Sequence, residues 1–352
     1  MNAPGFAPEL CHAPLLHAAP KVLSFANSFK PQFNCEFMVW RAAVEARLRE
    51  LVGTMPARCD LNLRVEWRRE HPEWEEIRFL FTAEPNAYVP CHLLLPKNGT
   101  SPYPTVICLQ GHSSGMHISL GRAQTEADAQ SIEGDRNFAI QAVREGYAAL
   151  VIEQRCFGER RDARDASKRH LSSTCHHASM AALLLGRTMI GERVWDVSRA
   201  IDALEHIQAR SIASVDTSRI GCMGNSGGGT ITYFAACLEP RISIAMPSCS
   251  VCTFADSIGS IDHCADNYVP GILKYFEMGD LSCLIAPRPL LAVTGRHDAI
   301  FPIDAVQSTF RLIQEVYAAS GAPDNCRLVI GEAGHRFYAD QSWLVFRELS
   351  RW

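Results

Sequence analysis

No stretch of this 352-residue chain is long and apolar enough to span a membrane. The longest apolar runs, such as Ala178 to Leu185, fall far short of the roughly 20 residues a bilayer requires. Positive charge is not in excess either. With 34 Lys and Arg against 38 Asp and Glu the formal net charge is −4, and the signs are interspersed, so the basic face that nucleic-acid binding needs is missing. The amino-terminal stretch MNAPGFAPELCHAPLLHAAPK has no basic segment and is broken by Pro4, Pro8, Pro14 and Pro20, which does not fit a secretion signal. These absences point to a soluble cytoplasmic protein that binds neither nucleic acid nor membrane; self-association into a homo-oligomer stays open.

Cysteines are plentiful, but ordered spacing among them is not. The 14 are scattered singly, as at Cys108, Cys222 and Cys237, so reduced thiols are expected rather than a disulfide framework. Cys249, Cys252, His263 and Cys264 can be drawn as a zinc site. The adjacency of the last two suits a tetrahedral site poorly, and the plainer reading is a loop lining the site or core. His170, His176 and His177 fall in a polar, Arg-rich stretch, 162 to 192, expected to form a small lid loop rather than a metal site. The expectation is therefore no cofactor and no metal.

An apolar fraction of 47% is ample for a large core. Residues 1–74 suggest an extended arm and a helical extension, and 75–352 one catalytic domain. Phe37, Trp40, Val44, Leu48 and Leu51 recur at helical spacing ahead of Gly53. Glu75–Thr82 and Tyr88–Leu95 resemble an antiparallel pair with a partner upstream around Leu61–Trp67. Thereafter strand and helix alternate: strands at Thr105–Leu109, Tyr147–Glu153, Arg219–Met223, Ile242–Met246, Pro289–Thr294 and Arg327–Ile330, helices at Phe138–Arg144, Val194–Ala209 and Gln341–Trp352. That alternation predicts an α/β fold, a mostly parallel doubly wound sheet with antiparallel strands at its amino-terminal side.

The chain is organised around RIGCMGNSGGGTI, Arg219 to Ile231. Ser226 stands in the pattern G-x-S-x-G between Gly224 and Gly228, where a strand turns sharply into a helix and only residues without a Cβ permit the approach. Taken alone, such a turn can also be structural. Ligands in these sheets gather at the carboxyl ends of strands. GRHDAIFP follows one strand and supplies Asp298; GEAGHRF follows another and supplies His335. The order Ser226, Asp298, His335 is that of a nucleophile, acid and base on an α/β-hydrolase sheet. The peptide N–H of Gly227 and that of His112, in the QGH after Leu109, are the candidate oxyanion donors. Arg155 and Glu159, in EQRCFGERR, either reach the site or pair structurally.

The chain resembles the α/β-hydrolases of the dienelactone-hydrolase and acetyl-xylan-esterase-like group. The stretches VICLQGHSSGMH, RTMIGERVWDVSRAIDAL, IGCMGNSGGG, HCADNYVPG, GDLSCLIAPRPLL and GRHDAIFP carry the resemblance over most of residues 75–340. It implies a cofactor-free serine esterase with Ser226, Asp298 and His335 as triad and Gly227 and His112 at the oxyanion positions. The expected substrate is a small ester with a short acyl group, acetyl above all. An acylaminoacyl or dipeptidyl peptidase is the alternative, although residues 1 to 100 are too few to build the β-propeller that filters peptides in such enzymes. A non-catalytic binding protein of the same fold would be marked by loss of one of the three residues, and all are present.

Overall fold

The computed structural model describes residues 28–29, 37–162 and 175–352. The rest of the expected amino-terminal arm, and His170 of the lid stretch, lie outside the described residues. The elements are α1 (Phe37–Val52), β1 (Arg64–Glu70), β2 (Trp74–Glu84), β3 (Ala87–Pro96), β4 (Tyr103–Leu109), α2 (Glu126–Glu133), α3 (Phe138–Arg144), β5 (Ala148–Ile152), α4 (Cys175–Leu184), α5 (Met189–Ala209), β6 (Val215–Asn225), α6 (Gly227–Leu238), β7 (Ile244–Ser248), β8 (Leu290–Gly295), α7 (Ile303–Ala319), β9 (Cys326–Gly331) and α8 (Ala339–Ser350).

The strands form one nine-stranded sheet in the order β1-β2-β3-β5-β4-β6-β7-β8-β9. β1, β2, β3 and β5 pair antiparallel, and from β5 onward every pair is parallel. This is the mostly parallel sheet with antiparallel amino-terminal strands that the sequence predicts, and it is the α/β-hydrolase arrangement. β1 joins the sheet from the amino-terminal side of residue 74.

Side chains alternate between the two faces, as strand geometry requires. In β4, Ile107 and Leu109 enter one core with α1, α5, α6 and α7, while Val106 and Cys108 enter a second core with α3 and α8. β8 divides Leu290 and Ala292 from Leu291 and Val293 in the same way. Both faces are therefore covered, which explains why the parallel strands are apolar throughout. Phe346 of α8 is fully buried, and truncating it to alanine should cost about 3 to 5 kcal/mol.

Several boundaries differ from expectation. α5 begins at Met189 rather than Val194, capped by Thr188, whose side chain accepts from the Gly191 N–H. Part of the expected lid stretch is helix α4, on which His176 and His177 are exposed. Ser28 and Phe29 tie the arm's end to the body: the Phe29 N–H donates to Asp280 Oδ1 at 2.7 Å, and the Phe29 ring packs 4.9 Å from that of Trp40.

Candidate active site

Register brings the site together. Leu109 pairs with Gly224, Asn225 with Ser248, Ser248 with Val293, and Gly295 with Gly331, so five neighbouring strands finish at the same edge. The loops that leave this edge carry His112, Ser226, Asp298 and His335.

Ser226 sits between β6 and α6 at φ 57°, ψ −126°, a backbone state costly for any residue with a Cβ and held here by its surroundings. Its N–H donates to Ser248 O at 2.9 Å, and its carbonyl accepts from the Thr230 N–H at 2.8 Å. The glycines are sterically required. A Cβ on Gly224 would lie 2.5 Å from Leu109 O, and one on Gly228 would run into the carbonyl oxygens of Leu109 and Gln110. Gly227 opens α6, so its N–H is one of the unpaired donors at the positive end of the helix.

Asp298 is buried three residues beyond β8. Its Oδ1 accepts from the backbone N–H groups of Ile300, at 2.9 Å, and Phe301, at 3.3 Å. Its Oδ2 lies 2.7 Å from His335 Nδ1, in the loop after β9. Burial works against the Asp298 charge, but the hydrogen bond and charge of His335 together with the Ile300 N–H outweigh it and hold the carboxyl below its ordinary range. His335 is stacked on Phe301 at 5.9 Å, and its carbonyl accepts from Arg136 Nη2 at 2.7 Å. The carboxylate thus fixes the ring orientation, with Nδ1 toward Asp298 and Nε2 turned away from it.

The His112 side chain is more than packing. Its ring covers Gly227 so closely that a Cβ there would lie 2.8 Å from Cε1 and 2.9 Å from Nδ1. On the other side Nε2 lies 2.9 Å from both oxygens of Asp266. Asp266 also accepts from Arg193 Nη1 at 2.6 Å and from Asn267 Nδ2 at 3.0 Å. Burial disfavours the imidazolium, yet the Asp266 charge and hydrogen bond, together with the Cys175 sulfur, outweigh it and raise the His112 pKa to about 9. A positively charged ring therefore stands beside the serine.

Neither Asp266 nor Arg193 is singled out in the sequence reading. Both lie in stretches that carry the family resemblance, HCADNYVPG and RTMIGERVWDVSRAIDAL, and that was the available signal. Arg155 and Glu159 are structural: Arg155 pairs with Asp196 at 2.9 Å, Glu192 at 2.8 Å and Glu84 at 2.8 Å, and Glu159 pairs with Arg78. Cys249, Cys252, His263 and Cys264 do not gather. Cys249 lies with Asp298 and His335, Cys264 with His112, Cys175 and Asp266, while the Cys252 N–H meets Met278 Sδ and His263 meets Asn267.

Among the described residues, two groups of side chains have metal-donor atoms within 4.8 Å of one another: His112, Cys175, Cys264 and Asp266, and Cys249, Asp298 and His335. Arg193 already brings a buried cation onto Asp266 and Cys175 in the first, which opposes a second one. Burial pushes the Cys249 thiol up to about 12 in the second, leaving it protonated and a weak ligand. Neither donor set suits a divalent ion.

Beside His335 runs a groove of about 560 Å³, lined among others by Gln130, Ser131, Arg136 and Arg336. A larger cavity of about 650 Å³ opens at the opposite edge of the sheet, near Tyr103 and Val215, where β4 and β6 begin. It is remote from Ser226 and His335, so the smaller groove is the one that bears on chemistry. No described helix is long and apolar enough to cross a membrane.

Residues 11–341 match the model of the Abhydrolase family. The chain is 29% identical over 318 residues to YtaP of Bacillus subtilis (strain 168), which is named only as a hydrolase, covering 89% of this chain and 99% of that protein. It is 28% identical over 173 residues to 4-O-methyl-glucuronoyl methylesterase 1 of Wolfiporia cocos (strain MD-104), covering 42% of this chain and 41% of that protein. Among solved structures, a Bacteroides fragilis NCTC 9343 protein provisionally assigned as an acetyl xylan esterase superposes with a TM-score of 0.76 at 17% identity, over 97% of this chain and 95% of that one. At that identity the likeness is one of fold.

Proposed function

The chain belongs to the Abhydrolase family, and from that premise we propose that it is a serine carboxylic-ester hydrolase. Ser226 is the nucleophile, His335 the general base and Asp298 the residue that orients and stabilises the imidazolium. The observation that carries the reading is the 2.7 Å bond between Asp298 Oδ2 and His335 Nδ1 at the strand edge from which Ser226 projects on its elbow.

The chemistry follows from each group's needs. A serine hydroxyl is a weak nucleophile at neutral pH, so His335 takes its proton as Oγ attacks the ester carbonyl. The carbonyl oxygen becomes an anion, met by the Gly227 N–H and by the loop at His112. His335 then protonates the departing alcohol, and water, activated by the same base, releases the acid from Ser226. Labelling with a serine-directed phosphonate tests the assignment. Modification must fall on Ser226, and modification of another serine would refute it.

The substrate is a small ester with a short, acetyl-sized acyl group, in keeping with the acetyl xylan esterase assignment of a structural neighbour. The polar groove beside His335, where Gln130, Ser131 and the guanidinium N–H groups of Arg136 and Arg336 can meet sugar hydroxyls, favours a second reading, in which the acyl part is a sugar acid and the alcohol is small. The methylesterase relative agrees with it. Comparing an O-acetylated sugar with a methyl uronate separates the two.

A further inference from the structure

Three thiols meet next to the active site without a part in ester hydrolysis. Cys175 opens α4, Cys264 lies just ahead of a single 3₁₀ turn at Ala265–Asn267, and Cys156 follows β5. Cys175 is buried, and Arg193 Nη2 donates to its sulfur at 3.3 Å. Arg193 is itself buried, its guanidinium 4.5 Å over the Phe157 ring.

Charge balance explains what the sulfur does there. Arg193 and the His112 imidazolium bring two positive charges to one carboxylate, Asp266, and Cys175 is the remaining group placed to carry a compensating negative charge. Hydrogen bonds from the Cys156 and Cys264 thiols, together with Arg193, hold the Cys175 thiol far below its ordinary range, while both partner thiols are pushed up. A thiolate held by a guanidinium is the reactive form of cysteine. His263, its ring 6.4 Å from that of His112, also faces this cluster.

We propose that Cys175 and Cys264 form a peroxide-sensitive dithiol site whose oxidation to a disulfide displaces Asp266 and, with it, the His112 ring beside Ser226. The Cys175 thiolate attacks the peroxide oxygen of hydrogen peroxide or an alkyl hydroperoxide. The O–O bond breaks, water or an alcohol leaves after taking a proton, and Cys175 becomes a sulfenic acid. The Cys264 sulfur then attacks Cys175 Sγ. The S–S bond forms, and the sulfenic hydroxyl leaves as water with the Cys264 proton, so two thiols lose two electrons and the peroxide gains them.

Cys264 is the resolving partner because it is half-buried in a loop, whereas Cys156 is buried on a turn at φ 74° with its Sγ 4.0 Å from Met189 Sδ. The two reacting sulfurs lie within 4.8 Å, so a bond of about 2.0 Å needs at most about 2.8 Å of approach. Asp266 is two residues beyond Cys264. A shift of that size breaks its two 2.9 Å contacts with His112, and the bridged sulfur no longer carries the charge that balances Arg193.

The crosslink is independent of the esterase reading; its effect on turnover rests on that reading. The full chain is treated with hydrogen peroxide, remaining thiols are blocked, and the non-reduced digest is mapped by mass spectrometry. The expected product is a Cys175–Cys264 peptide pair short of two hydrogens, reversed by dithiothreitol. Ester hydrolysis should fall about tenfold with the bridge, part of what loss of one oxyanion contact costs, and recover on reduction. Cys264→Ser should keep its activity before oxidation, resist inactivation, and leave a Cys175 sulfenic acid that dimedone traps. A Cys175–Cys156 bridge, or a reduced Cys175 when half-buried Cys59 is oxidised, overturns the site. A Cys175–Cys264 bridge that leaves the turnover of an active enzyme unchanged overturns the displacement. Should the unoxidised enzyme hydrolyse no ester, the peptide map still decides the dithiol, and the failure belongs to the esterase reading.

Discussion

Replacing His112 with glutamine removes a buried charge whose energy can be worked from the structure. Against the penalty of burial, the Asp266 carboxylate, with a smaller share from the Cys175 sulfur, raises the His112 pKa from 6.5 to about 9, a difference of about 2.5. At about 1.4 kcal/mol per unit this is about 3 kcal/mol of stability. Because the folded-state value is the higher one, the contribution is fully present below about pH 6.5 and is lost as pH rises through 9. Glu153, pushed up to about 8 by burial, loses stability over a lower range, from its ordinary 4.5 to 8. Subtracting the His112→Gln variant from wild type cancels that background and leaves the Asp266–Arg193 pair in both proteins. Urea unfolding at about pH 6 and about pH 10 should show the wild-type advantage shrinking by about 3 kcal/mol. An advantage equal at the two pH values would refute the claim that Asp266 keeps the ring charged.

Gly228→Ala drives a methyl group into the Leu109 and Gln110 carbonyls and should cost more than about 3 kcal/mol or abolish soluble expression; a variant of wild-type thermal stability would deny that the elbow needs this approach. Dialysis against EDTA should leave ester hydrolysis unchanged, and a loss restored by zinc would contradict the reading of both donor clusters. Each buried methylene is worth roughly 0.8 kcal/mol, so a long acyl groove would reward longer tails. With a short-acyl site, kcat/KM on p-nitrophenyl esters should peak between acetate and butyrate and drop about tenfold by octanoate; a rise through decanoate would reveal a lipase-like groove.

The parallel strands are legible because each is a short apolar run followed by turn residues, but the expected ends of β6 and β7 fall two residues short, where Gly224, Asn225, Pro247 and Ser248 carry the ladder onward. Those last residues set the edge on which the site stands. Helix α5 was read from its apolar stripe, which begins at Val194. Its first turns were hidden because the helix is buried nearly all round, with Arg193, Asp196 and Arg199 inside and paired rather than on a polar face. Ser226, Asp298 and His335 could be named because each follows a strand at the same sheet edge. His112, Arg193, Cys175 and Asp266 could not be grouped, since they come from a loop, two helices and a 3₁₀ turn whose meeting depends on tertiary packing.

Ester turnover of Ser226→Ala beside wild type, with circular dichroism and unfolding confirming an intact fold, tests directly whether Ser226 is the nucleophile. Alanine carries the same Cβ and can hold the same strained backbone, so only the hydroxyl is removed. With Ser226 as nucleophile, turnover falls by several orders of magnitude while stability is unchanged. Retention of more than about a tenth of wild-type hydrolysis would contradict it.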